Sequence, residues 1–131
     1  MVGHGMIAAD VARRLDAAHR VALQQWVTDA DGRSSCRRGG TDATDLQIKV
    51  SEGAAVALRD ARRCVERGGR TPTEAIRFVL GQCQEMATFR RTPDWVAYVD
   101  GGRSALIRFL AELEAARPAG GAEPTTPAPG Q

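Results

Sequence analysis

Three cysteines, two histidines and a large store of arginine are the residues of this chain that could do chemistry. Cys36, Cys64 and Cys83 form an odd set with no CxxC spacing, so neither a disulfide framework nor a zinc knuckle is expected. His4, His19 and Cys36 have no regular ligand spacing, which leaves no metal and no cofactor to expect. Cys64 and Cys83 lie at helical positions without a histidine nearby and read as small buried hydrophobes rather than nucleophiles. Arg14 and His19 are separated by about 500° of helical rotation, or about 140° modulo a turn, and so fall on different faces of one helix. The expectation is that the chain is not an enzyme. Of its 18 basic residues only Lys49 is a lysine, an excess that accompanies abundant Ala and Gly and fits a GC-rich coding sequence. Placement is more informative than the total. From Arg33 to Arg70 nine basic residues face five acidic ones, a local charge of +4 in a chain whose net charge is +2.

The elements that would position these groups follow from the apolar pattern. Ile7, Val11, Leu15, Ala18, Ala22 and Trp26 recur every three or four residues, which predicts an amphipathic helix from Met6 to Thr28 within an N-terminal unit of residues 1–29. Residues 30–44 have no period, are rich in Gly, Ser and charge, and read as a flexible linker. Leu46, Ile48 and Val50 then alternate with Asp45, Gln47 and Lys49, the period of a short half-buried strand. Ser51 and Glu52 offer a helix start, Gly53 lies just after them, and Ala54, Ala55, Leu58, Ala61 and Val65 give a helical face that Gly68 and Gly69 should end. Thr71-Pro72-Thr73-Glu74 opens a second helix with a capping residue, a proline at the first position and an acid at the third. Ile76, Val79, Leu80 and Cys83 form its stripe. Thr92-Pro93-Asp94 opens another, although Trp95 to Val99 would also suit a strand, and Gly101-Gly102 should break it before a last helix capped by Ser104. Residues 85–117 are therefore a C-terminal helical extension, and 118–131, which are Pro, Gly, Ala and Thr with little else, a disordered tail.

With 131 residues, 43% hydrophobic and 26% charged, the chain has the balance of one globular domain. It has no apolar run long enough to span a bilayer and no basic n-region at its start, so the sequence reads as cytoplasmic and makes no membrane partner expected. Trp26, Trp95, Tyr98 and Phe109 do not interleave with a basic stripe and read as core or interface anchors.

Strand, helix, tight turn and helix in residues 45–84 resemble the ribbon-helix-helix family of small dimeric DNA-binding proteins. The resemblance is carried by Leu46 to Glu52, Ala54 to Leu58 and Gly69 to Ile76. It implies a mainly α fold whose ribbon-helix-helix-like core has one short strand, flanked by N- and C-terminal helices. Two copies would pair their strands in a homodimer and lay the polar face into the major groove of double-stranded DNA. On that reading Asp45, Gln47 and Lys49 contact bases, and Arg70, Thr71 and Thr73 hold a phosphate at a helix N-terminus. The implied function is a sequence-specific transcriptional repressor, with the antitoxin role of the family as an extension of it and a protein partner on the N- and C-terminal helices. The residues leave an alternative open: a non-catalytic α-helical interaction or regulatory module without DNA binding. The Arg14–His19 spacing also resembles the Arg-x4-His motif of the helical HEPN ribonucleases, where it would serve RNA cleavage.

Overall fold

The computed structural model describes residues 7–36 and 43–116, and these form four helices: α1 (Ala8–Cys36), α2 (Ala43–Arg67), α3 (Pro72–Met86) and α4 (Pro93–Ala116). His4, residues 37–42 within the segment read as a linker, and the tail from 117 onward lie outside the described residues. Among the described residues there is no strand. The expected ribbon-helix-helix core is therefore corrected: Leu46 to Val50 are the first turns of α2, while the mainly α class agrees with the structure.

A pattern of period two became helix because both sides of that helix are covered. Alternate residues stand about 200° apart on a helix, so Ile48 points away from Leu46 and Val50, which share a side one turn apart. All three are half-buried, since α2 is the central helix and packs against each of the other three. Once α2 exists from Ser51 onward, extending it costs no new nucleus. Ser51 is then an internal residue of α2 rather than its cap, and α1 continues to Cys36, eight residues past the predicted end of its apolar period.

Turn chemistry behaves as its residues dictate. Gly68 and Gly69 take φ of 81° and 89°, the left-handed backbone that stops α2. Thr71 caps α3 reciprocally: its Oγ1 accepts from the Glu74 N–H at 3.2 Å and its own N–H donates to Glu74 Oε1 at 3.0 Å. Pro93 opens α4, and the Trp95 indole N–H donates to the Met86 carbonyl at 2.9 Å, tying α4 to the end of α3. Two reversals return α4 to the direction of α2, so that Asp94 lies in the field of Lys49. The ion pair of Arg62 with Asp16 at 3.9 Å, and the hydrogen bond from Ser51 to Asp29, place α1 antiparallel to α2.

Gly101 and Gly102 do not break α4. They let it touch α2 backbone to backbone: a Cβ on Gly101 would lie 2.1 Å from the Val50 carbonyl oxygen, and one on Gly53 would lie 1.9 Å from that of Tyr98. No side chain fits at this crossing. Beside it the core closes on Leu15, Ile76 and Leu106, each with no exposed surface, together with Leu58, Val65, Val79 and Phe109.

Candidate functional site: a trough between α1, α2 and α4

Helices α1 and α4 both pack along α2, and α3 fills the far side between α2 and α4. The near side has no such filler. A trough of about 490 Å³ opens there, with α2 as its floor and α1 and α4 as its walls. Its lining is built from small side chains: Ala18 and Ala22 from α1, Ala54 from α2, Gly101 and Ala105 from α4, with Leu58 and Phe109 as the larger apolar members. A shallower continuation of about 300 Å³ runs on between Arg14, Ala17, Val21 and Leu113. Val21 stands on the crest of the α1 wall, 72% exposed.

Polar groups mark the ends and rim. At one end Asp29 collects donors: Gln25 Nε2 at 3.0 Å, Gln47 Nε2 at 3.5 Å and the Ser51 hydroxyl. Ser51 is only 4% exposed, and this carboxylate, with Gln47 Nε2 at 3.3 Å, satisfies a hydroxyl whose burial unpaired would be costly. Along the rim Arg14 and Arg108 are balanced by Asp100 and Glu112. The site can therefore take an apolar object lined by mixed polar groups, and it has no net positive charge to offer a polyanion.

The residues singled out from sequence are dispersed. Asp45 and Lys49 are one turn apart on α2, and Gln47 is about 160° from either, on the trough side. Lys49 pairs with Glu52 at 3.1 Å. At the start of α3 the Thr71 hydroxyl receives the Glu74 N–H, and the Glu74 carboxylate occupies the neighbourhood where an anion would sit. Thr73 is a first-turn residue of α3, and Arg70 lies over the Phe78 ring, 3.9 Å from its centroid. Arg14 and His19 are on different sides of α1, Arg14 at the trough and His19 near Arg62 of α2. Burial first, then Arg62, hold the His19 imidazole below its ordinary 6.5 against the pull of Asp16.

Cys64 and Cys83 are free and buried, and burial, followed by the nearby Asp60 carboxylate, pushes the Cys83 thiol up. Among the described residues no group of three or more His, Cys, Asp or Glu side chains gathers as metal ligands, and no helix is long and apolar enough to cross a membrane.

Sequence reasoning missed the trough. Its signal was the run of small residues on α1 and α4, Ala18, Ala22, Gly101, Ser104 and Ala105, which in sequence is indistinguishable from a weak core face. Comparison with family models, with curated proteins and with solved structures finds no significant match to this chain.

Proposed function

We propose that this chain is a non-catalytic helical interaction module whose trough binds an amphipathic helix carrying large apolar side chains. The trough itself carries the reading: two helices fixed on a third leave between them a channel of about 490 Å³ whose walls carry small side chains. Such a channel falls within the roughly 300–1,000 Å³ of ordinary ligand pockets, but it is elongated and open along its length, the form that helix-in-groove recognition uses. Walls of small residues, Ala18 and Ala22 on α1 with Gly101 and Ala105 on α4, leave room between the helices, so affinity would come from Leu-, Ile- or Phe-sized residues of the incoming helix at i, i+3 or i+4, and i+7. The evenly balanced rim of Arg14, Arg108, Asp100 and Glu112 favours a partner of low net charge over nucleic acid. The repressor expectation is less well supported, since the paired ribbon on which it depended is helix and its three base-contact residues do not share a face.

A displayed library of amphipathic helical peptides, selected on the full chain and mapped by amide chemical shifts, tests this reading. Selected peptides are expected to share large apolar residues at helical spacing and to shift Ala18, Val21, Ala54, Ala105 and Phe109 while leaving α3 unperturbed. Peptides that bind without touching these residues, or no enrichment on a chain that light scattering shows to be monomeric, would overturn it.

A further inference from the structure

The trough has the shape to accept a helix, and one of its own walls is a helix of matching character. We propose that its occupant is α1 of a second copy of this chain, in a two-fold dimer where each α1 crest enters the partner's trough. This inference rests on the reading of the trough as an interaction site.

Among the described residues Val21 and Phe89 are the most exposed large apolar side chains, and of the two Val21 lines the trough, where the α1 wall meets open space. Ala17 and Ala18 lie one turn before it and Ala22 beside it, and Gln25, one turn after, is held to Asp29 at 3.0 Å, so a second α1 can come close on the Arg14 side and pass Gln25 where it is drawn toward Asp29. A surface that carries both an apolar ridge and an apolar channel beside it is complementary to itself under a two-fold rotation, because the ridge of each copy meets the channel of the other.

Charge fixes the direction. Arg14, at the Leu113 end of the trough, makes no ion pair among the described residues, and Asp100 stands half exposed at the Gln25 end, paired only with Arg103 of its own helix. Seven residues, or about 10 Å of helix, separate Arg14 from Val21. An antiparallel second α1 turned about Val21 carries its Arg14 the same distance beyond Val21 in the other direction, past Gln25, to the Asp100 end. The two-fold repeats the contact, giving two Arg14–Asp100 pairs for one interface. A parallel arrangement would set Arg14 beside Arg14.

Light scattering on the full chain is expected to give twice 14.0 kDa at micromolar concentration. Val21→Glu, which places a carboxylate on the crest, is expected to give monomer with unchanged helical circular dichroism. Arg14→Asp and Asp100→Arg alone should each weaken dimerisation about tenfold, since each spoils two pairs, and the double exchange should restore it. A monomeric parent, a dimer indifferent to Val21→Glu, or single charge variants that the double exchange fails to rescue would overturn the proposal. If the parent is monomeric while selected helical peptides still shift the trough resonances, the second copy alone is wrong. If those peptides also miss the trough, the interaction reading beneath it falls too.

Discussion

Helix α4 presents small residues toward two neighbours, with opposite results. Toward α2, Gly101 meets Val50 and Gly102 meets Gly53 so closely that backbone touches backbone. Toward α1, Gly101, Ser104 and Ala105 face Ala18 and Ala22 across open space. The residue types are alike; what differs is whether the facing helix can approach. Helix α2 closes on α4, whereas α1 is seated in the common core by Val11 and Leu15 and stands off α4 along the trough. A small residue removes a steric barrier, and only the rest of the packing decides whether the gap is then closed or left as a binding surface.

The largest expected effect comes from breaking the closed side. Gly53→Ala or Gly101→Ala would set a methyl against a carbonyl oxygen that has no room to retreat, and each is expected to cost about 3 kcal/mol or more in urea unfolding, the upper end of overpacking penalties. On the open side, Leu15→Ala removes one of the two buried anchors of α1 and should cost about 2–3 kcal/mol, with amide exchange rising in α1 more than in α3. Gly81 sharpens the contrast as a helical glycine with nothing within 4 Å of an added Cβ. Gly81→Ala is expected to stabilise the protein by roughly 0.5–1 kcal/mol, the helix propensity gain alone.

The smallest effect concerns the seat of the α1 wall. The folded His19 lies below the ordinary imidazole value of 6.5, so just below that pH the unfolded chain binds more protons than the folded one. Stability should therefore fall as pH drops through about 6.5 and be recovered on raising it. Protonation adds charge beside Arg62, Arg59 and Arg63, with only Asp16 opposing. The urea midpoint measured between about pH 7.5 and about pH 5.5 should decline less in His19→Gln than in the parent.

What was legible in the sequence was local. Gly68-Gly69, Thr71-Pro72-Thr73-Glu74 and Thr92-Pro93 carry their own backbone instructions, and the structure places helix ends at each of them. The apolar faces through Val11 and Leu15 and through Ile76, Val79 and Cys83 likewise name the buried sides of α1 and α3. Leu46 to Val50 misled because an alternating pattern and a helix covered on both sides place the same residues under cover. Gly101-Gly102 misled for a related reason: a glycine pair weakens a helix by its own propensity, and that cost is offset by contacts with Val50 and Gly53 about fifty residues away. The trough was illegible because no residue in it is unusual; it arises from how three helices are held, which no single stretch records.

The most direct test of the open side against the closed one uses two consecutive residues of α2. Gly53 faces the backbone contact with α4 and Ala54 faces the trough. Urea unfolding of Gly53→Ala and Ala54→Leu, side by side with the parent, should show the single added carbon at Gly53 costing about 3 kcal/mol and the three added at Ala54 costing under about 1 kcal/mol. A loss at Ala54→Leu as large as that at Gly53→Ala would mean that the trough is packed space, and would contradict its role as a docking site.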